Sequence, residues 1–403
     1  MKVVIIGNGV AGVTAARTIR ERDREARIVI FSDEGYHYYP RPRLIEFLAG
    51  AIEEHQLFFY PDEWYRERNI EVHLAAKVTA IDAGRRTVTL GDGHSVDYDR
   101  LLLATGGRPN VPPVKGVEQE GVFTLRRLDD ALRIKQRAAR GARAVVVGGG
   151  LLGLESARAL QGLGLHVSVL QIGGRLLPAQ LDDEGGEMLL RQIEAQDIHV
   201  ILNAAAASIG GNGSVAGVEL EDGRQLEASL VLISAGIRSN VELAKTAGLA
   251  VNKGIVADQR LLTSAPDVYA AGDVAEVGNR VYGIIPAAVD QARVAADSIL
   301  GAQSTPYTGT VPSNTLQVMG IDLTSVGVVN PEAPEYEELR WRDEKSGVYK
   351  KVVLQGSRVV GAIVLGDRQS VPAIMRMVRE KTDVGRYKDR LLHPDFELKT
   401  VFS

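Results

Sequence analysis

The chain carries one unit twice. Lys2 is followed by the apolar run Val3-Val4-Ile5-Ile6, the loop Gly7-Asn8-Gly9-Val10-Ala11-Gly12, a helical pattern from Val13 to Arg20 and a second strand-like run, Arg27 to Phe31, ended by Ser32-Asp33-Glu34. Ala144 to Val147, Gly148-Gly149-Gly150-Leu151-Leu152-Gly153, Leu154 to Leu163 and His166 to Leu170 repeat that order. Short all-apolar runs read as strands buried on both faces of a parallel sheet. Glycines at this spacing permit a tight turn and let a pyrophosphate approach the backbone. The helix that starts there offers N–H groups and partial positive charge to phosphate. An acid after the second strand, here Asp33 or Glu34, takes ribose hydroxyls. A lone glycine loop is a weak signal, but the complete unit, present twice, points to two dinucleotide sites.

The repeat extends beyond the loops. "KVTAID" to "LLLATGG" and "AAASIGG" to "LVLISAG" each read as a β-meander with an Asp-Gly turn, running into an apolar strand and small residues. The turns Asp92-Gly93 and Asp222-Gly223 and the glycines Gly106 and Gly236 share one offset of 130 residues (222 less 92; 236 less 106). The repeated unit is therefore a domain, and two dinucleotides held face to face is the arrangement it suggests.

Composition narrows the chemistry. The 403 residues contain no cysteine. That removes disulfides, thiolate nucleophiles, Cys-ligated zinc and Cys-ligated iron–sulfur clusters, so redox chemistry must come from a bound cofactor. Seven histidines include no pair at metal-ligand spacing, and no metal is expected. A net charge of −4 calls for no nucleic acid, and no apolar run reaches the length of a membrane helix. Lys2 runs straight into the first strand, which leaves no room for a leader, and the expected location is the cytoplasm.

The order of motifs resembles the two-dinucleotide flavoproteins, the glutathione-reductase-like pyridine nucleotide oxidoreductases. "LLLATGGRP" (Leu101 to Pro109) is similar to the Ala-Thr-Gly motif at the domain crossing, and "TSAPDVYAAGDVAE" (Thr263 to Glu276) to the late Gly-Asp motif. "YYPRPRL", "WYRERNIEVHLAAKVTAID" and "KVVLQGSRVVGAIVLGD" resemble the NAD(P)H:rubredoxin oxidoreductases and the flavoprotein part of NAD(P)H-dependent nitrite reductases.

The resemblance implies a fold and roles. The fold class is α/β, with two Rossmann-like dinucleotide-binding domains and a C-terminal α+β domain. Gly7, Gly9, Val10, Ala11 and Gly12 wrap the FAD pyrophosphate, with Asp33 or Glu34 near the adenosine ribose. Arg41 and Pro42 lie along FAD, Val78 meets the adenine through its backbone, and Ala104, Thr105 and Gly106 form the crossing. Gly272 and Asp273 take the ribityl hydroxyls, since a carboxylate accepts from several hydroxyls. Pro286 and Ala287 open a helix whose N-terminus faces the flavin pyrimidine and favours negative charge there. Gly148, Gly150, Leu151, Leu152 and Gly153 hold NADH or NADPH, and Ala235 and Gly236 close that domain. Glu155 is the catalytic-site acid near nicotinamide and flavin, or else an exposed first-turn helix acid.

Departures from the family pattern are informative. The missing cysteines exclude the disulfide-reductase chemistry and the cysteine-based peroxidase and oxidase chemistry. Glu46 and Arg43 depart from the pattern of the reductases that serve oxygenase ferredoxins. Gln171 stands where NADH-specific members end the second strand in Glu, so the charge that repels a 2′-phosphate is missing. Arg175 either meets such a phosphate or is a solvated loop charge.

The expected organisation is a split FAD domain (1–110 and 236–303), an NAD(P) domain (111–235) and a C-terminal interface domain (304–403). The last has strands at "LTSVGVV", "YEELRWRD", "GVYKKVVLQ" and "RVVGAIVLG". A basic helical stretch follows, with Arg368, Arg376, Arg379, Lys381, Arg386, Lys388 and Arg390. It reads as a dock for a small acidic electron carrier such as rubredoxin, or as a solvated helix face. The expected activity passes hydride from NAD(P)H to FAD and electrons onward to that carrier, in a monomer or homodimer. The rival readings are an NAD(P)H oxidase or diaphorase that uses oxygen or quinone, and a flavin-binding subunit of a larger redox complex that no longer uses nicotinamide.

Overall fold

The structure, a computed structural model, describes residues 1–302 and 305–402. The domain boundary expected between 303 and 304 lies outside the described residues. The chain divides into two compact units. One comprises Met1–Phe47, Ala51–Asn110 and Ile237–Thr310, the other Leu48–Gly50, Val111–Gly236 and Val311–Ser403.

The first unit is built on a five-stranded parallel sheet in the order Val268–Ala270, Arg100–Leu103, Lys2–Ile6, Arg27–Phe31, Ile70–His73. Its central strand is apolar on both sides because both sides are covered. Val3 and Ile5 pack with the helices Val10–Arg22 and Ile285–Ile299, through Ala15, Ala16, Ala292, Ala295 and Ala296. Small residues there bring the helices close to the sheet and to each other. Val4 and Ile6 pack on the other face against Val78, Ile81 and Val88 of the antiparallel meander Val78–Asp82, Thr87–Leu90, Ser95–Asp97.

The second unit repeats this plan. Its parallel sheet runs His199–Leu202, His166–Gln171, Arg143–Val147, Leu230–Ile233, Val122–Phe123, with a meander at Ala206–Gly211, Val215–Leu220 and Gln225–Glu227. Both Asp-Gly turns form as expected, with the Gly93 N–H on Leu90 O and the Gly223 N–H on Leu220 O. Both glycine helices, Val10–Arg22 and Leu151–Gly162, begin three residues before the apolar helical pattern does. Gly9 and Gly150 are extended N-cap residues, so each helix starts inside its glycine motif.

The second unit also contains a five-stranded antiparallel sheet in the order Ser313–Val318, Ile321–Gly327, Arg358–Leu365, Val348–Gln355, Tyr336–Asp343. The helix Val371–Glu380 covers one face through Ile374, Met377 and Val378. Sequence reading anticipates four of these strands and misses Ser313–Val318, whose turn is Met319-Gly320 and carries no Asn-Gly or Asp-Gly signal. The basic stretch is helical only over Val371–Glu380, because Lys381 takes a left-handed conformation (φ 47°) and ends it. Arg368 precedes that helix, and Arg386, Lys388 and Arg390 follow it.

Buried charge joins the C-terminal sheet to the second glycine-loop region. Lys351 is 1 % exposed, with Nζ 3.1 Å from Asp182 and 2.7 Å from Glu338. The Tyr349 hydroxyl donates to Asp182 at 2.6 Å, and Asp182 caps the helix Asp183–Glu194 by accepting the Gly185 N–H at 3.0 Å.

Candidate functional site

The two glycine loops share their geometry almost atom for atom. Gly7 N–H donates to Phe31 O and Gly148 N–H to Leu170 O, each at 2.8 Å. Both glycines have positive φ, 115° and 123°, which L side chains rarely adopt. A Cβ on Gly7 stands 2.2 Å from Ala104 O, and one on Gly148 stands 2.2 Å from Ser234 O. A Cβ on Gly12 stands 1.9 Å from Gly7 O, and one on Gly153 stands 1.9 Å from Gly148 O. These positions admit glycine alone because strand, loop and helix touch there.

The middle glycines face the opposite way. Nothing lies within 4 Å of a Cβ built on Gly9 or on Gly150. Neither helix has a side-chain cap. Val13 N–H bonds back to Gly9 O and Leu154 N–H to Gly150 O, so the N–H groups of Val10, Ala11 and Gly12, and of Leu151, Leu152 and Gly153, precede the helical ladder. Each loop thus presents first-turn donors toward open space with no acid in the first turn, the donor set that a pyrophosphate takes. In the first loop the Asn8 side-chain amide nitrogen is also buried with no hydrogen-bond partner among the described residues. A polar group buried in that way can be satisfied by an acceptor from outside the chain.

Around the first loop the structure gathers several expected residues. Gly272 lies against Ala11, and its N–H donates to Gln291 Oε1 at 2.9 Å, so a helix residue fixes the turn that carries Asp273. The Ser239 hydroxyl donates to the Asp273 backbone carbonyl at 2.6 Å. At the crossing, Asn240 donates from its side chain to Thr105 O (2.8 Å) and from its backbone to Gly106 O (2.9 Å). Pro286 and Ala287 lie in the first turn of Ile285–Ile299, a helix with no acid in its first turn. Val78 is buried at the start of its strand. Asp33 is exposed, whereas the Glu34 carboxylate accepts from the Tyr39 hydroxyl (2.5 Å) and from Arg41 Nη1 (3.2 Å). Burial alone lowers the Arg41 pKa, but the bond to Glu34 and the charges near it raise it overall, so this guanidinium keeps its charge. Pro42 is exposed beside it.

The second loop differs at one point. Gln171 ends its strand, is buried, and accepts the Gly149 N–H on Oε1 at 3.0 Å. Arg175 is a third exposed and pairs with Asp183 at 2.6 Å, a surface pair of about 0–1 kcal/mol. Glu155 is half-buried, not an exposed helix acid, and accepts the Met319 N–H at 2.6 Å. Burial pushes its carboxyl up, and the Met319 N–H and Arg158 pull it only partly back. Ala235 and Gly236 (φ 90°) follow the unit's return strand, Leu230–Ile233.

Sequence reading missed Tyr65, Gln291, Ser239, Asn240 and Met319. Each acts through a contact with a residue at least 19 positions away in the chain, which no local pattern encodes. Asn8 had a signal, since it lies inside the glycine motif.

Residues 1–292 match the family described as pyridine nucleotide-disulphide oxidoreductase. The chain belongs to that family. Residues 312–382 of this family member match the rubredoxin NAD+ reductase C-terminal domain. Nitrite reductase [NAD(P)H] of Bacillus subtilis is 34% identical over 384 residues, covering 95% of this chain and 48% of that protein. Rubredoxin-NAD(+) reductase of Pseudomonas putida is 33% identical over 363 residues, covering 86% of this chain and 94% of that protein. Among solved structures, the covalent putidaredoxin reductase–putidaredoxin complex matches with a TM-score of 0.88 and 28% identity, over 100% of this chain and 98% of that one. The chain spans about half the length of the nitrite reductases it matches.

Proposed function

We propose that this chain is an FAD-containing NAD(P)H oxidoreductase that passes electrons to a small redox protein such as rubredoxin. The observation that carries the reading is the pair of open glycine caps, Gly9 and Gly150, each at the start of a helix on its own parallel sheet. Bound FAD accepts hydride from a nicotinamide and releases electrons singly, a chemistry that a chain without cysteine must import.

The residues divide the work. Gly7, Gly9, Val10, Ala11 and Gly12 hold the FAD pyrophosphate. Asp33 or Glu34 serves the adenosine ribose, with Arg41 and Pro42 alongside and Val78 at the adenine. Gly272 and Asp273 take the ribityl chain, and Pro286 and Ala287 aim a helix start at the ring. Gly148, Gly150, Leu151, Leu152 and Gly153 hold NADH or NADPH, with Gln171 and Arg175 at the ribose end and Glu155 at the nicotinamide end. Ala104, Thr105, Gly106, Ala235 and Gly236 link an FAD domain (1–110 and 236–303), an NAD(P) domain (111–235) and an interface domain (304–403). Among the described residues no helix is long and apolar enough to cross a membrane, in keeping with a cytoplasmic enzyme.

Part of the basic stretch is already used. Arg376 pairs with Glu380 and stacks on Phe402, Lys388 pairs with Glu337, and Arg390 lies over Tyr387 and Phe396. Arg368, Arg379, Lys381 and Arg386 are exposed and are the better candidates to meet an acidic carrier.

Anaerobic titration of the purified yellow protein with NADH and with NADPH tests the reading, followed by reoxidation with rubredoxin, quinone or air. Bleaching within seconds and fastest recovery with rubredoxin are expected. Colourless, well-folded protein overturns it. Recovery fastest with air or quinone instead identifies an oxidase or diaphorase. A second reading, a flavin-binding part of a larger redox complex that no longer uses nicotinamide, is favoured by the relatives of about twice this length. Failure of both nucleotides to bleach the flavin supports that reading.

A further inference from the structure

The hairpin that sequence reading missed ends in an unexpected turn. Val318 pairs with Ile321, so the connection is two residues, Met319-Gly320, and both have positive φ (56° and 80°). Such a type I′ turn suits Asn-Gly, because Cβ crowds the following carbonyl in the left-handed region, a cost that glycine lacks and that asparagine offsets with local hydrogen bonds. Methionine here has no local justification.

Three further observations supply one. Met319 is 1 % exposed, although side chains at hairpin tips normally face water. Its N–H donates to Glu155 Oε1 at 2.6 Å, a charge-assisted bond. A Cβ on Gly320 stands 2.8 Å from Arg158 Nη1. Glu155 and Arg158 are three residues apart on the second glycine helix and share a face. The turn is thus gripped by one face of the helix that begins at Gly150, about a turn from the open cap. A strained residue held by long-range contacts marks a place where geometry is set by function.

We propose that the Met319–Gly320 turn positions the Glu155 carboxylate for the nicotinamide end of the nucleotide and so ties occupancy of that site to the C-terminal sheet. This rests on the reading of the second loop as the NAD(P)H site. One Glu155 oxygen accepts from the turn, and a carboxylate carries a second acceptor oxygen with which to meet a ligand. The same carboxylate therefore reports to the hairpin whether the nicotinamide end is filled. Met319 is a positioning residue, acting through Glu155.

The test is amide hydrogen exchange of the flavin-loaded protein with NAD+ or NADP+, against ADP-ribose and 2′-phospho-ADP-ribose, which lack nicotinamide. The complete nucleotides are expected to slow exchange at Met319 to Ile321 at least about fivefold more than the truncated ones do, the lower end of ordinary site coupling. Glu155→Ala is expected to abolish that difference. Glu155→Gln keeps an oxygen for the Met319 N–H and is expected to restore it. Protection of Gly148 to Gly153 by all four probes, with no nicotinamide-dependent change at Met319, overturns the proposal and leaves the nucleotide site standing. An equal effect of truncated and complete nucleotides on Met319 overturns it too, as does a Glu155→Ala variant that keeps the full difference. If no probe protects Gly148 to Gly153, the second loop is not a nucleotide site, and both readings fall together.

Discussion

The Gln171 carboxamide oxygen holds the Gly149 N–H at 3.0 Å, so the side chain that ends the strand is also a strut for the glycine loop. This oxygen is spent before any nucleotide arrives. What Gln171 offers a ribose is its amide donor, whereas Glu has a second oxygen to accept from hydroxyls.

The first prediction follows from that strut. Gln171→Leu leaves the Gly149 N–H buried without a partner and lowers stability by about 1–3 kcal/mol. Gln171→Glu keeps the acceptor, unfolds near the parent midpoint, and shifts nucleotide preference toward NADH by about tenfold, ~1.4 kcal/mol. Urea unfolding and paired affinities for NADH and NADPH measure both effects. A Leu variant as stable as the parent removes the strut from the account.

The second prediction uses the two open caps. Gly9 and Gly150 have ordinary negative φ and no neighbour within 4 Å, so a side chain fits the protein and intrudes only on a ligand. Gly150→Leu is expected to fold, stay yellow and lose reduction by NAD(P)H more than about 100-fold, ~2.7 kcal/mol of binding. Gly9→Leu is expected to fold and emerge colourless. Circular dichroism with the visible spectrum separates the cases. The reverse pattern would exchange the roles of the two loops.

The parts of the fold legible in sequence were those fixed locally. Val3 to Ile6 and Ala144 to Val147 are strands because every residue is apolar, and the Asp-Gly turns form because glycine relieves the left-handed position. The division of labour inside the site was less legible. Glu34 carries an obvious acid signal, yet its carboxylate is engaged by Tyr39 and Arg41. Gln291 reaches Gly272 from the next helix, and Met319 reaches Glu155 across 164 residues. These bonds depend on which helix face a fold brings opposite which turn, and that is tertiary information. The basic stretch failed as a single helix for a local reason, the left-handed Lys381.

The third prediction concerns acid stability. Burial tends to raise the Asp182 carboxyl, but the Tyr349 hydroxyl, the Gly185 N–H and Lys351 outweigh it and hold the pKa below the usual aspartate value. A depressed carboxyl stabilises the fold above its unfolded-state pKa, and that stability is lost as pH falls through the folded value. Unfolding midpoints should therefore be flat near neutrality and fall below about pH 4. Lys351→Met removes the buried cation between Asp182 and Glu338 but leaves both beside Arg340, so it should cost less than the about 3–5 kcal/mol of a fully unpaired buried charge at pH 7. Because the variant's Asp182 is less depressed, its loss on acidification should be smaller than the parent's. An identical pH slope in parent and variant would separate Lys351 from the carboxylate.

The last prediction concerns Tyr65, which no motif singles out. Its hydroxyl donates to Asn8 Oδ1 at 3.1 Å and accepts the Tyr38 N–H at 3.4 Å, and its ring stacks on His37 and meets Trp64 edge-on. The ring is fully buried, and burial pushes the phenol up to about 12, so it remains a donor throughout the range in which the protein is handled. That bond fixes the Asn8 amide, whose nitrogen is left turned to no partner among the described residues. Tyr65→Phe leaves the Asn8 oxygen unsatisfied and frees the amide to rotate. The expected cost is about 1–3 kcal/mol in stability. If the Asn8 nitrogen serves the FAD pyrophosphate, flavin affinity falls as well, by about tenfold. Apoprotein titrated with FAD at pH 6 and pH 9 measures it, and the parent affinity should not change between those values on account of Tyr65. A phenylalanine variant that loses stability but binds FAD like the parent confines Tyr65 to packing and returns Asn8 to the loop's structure alone.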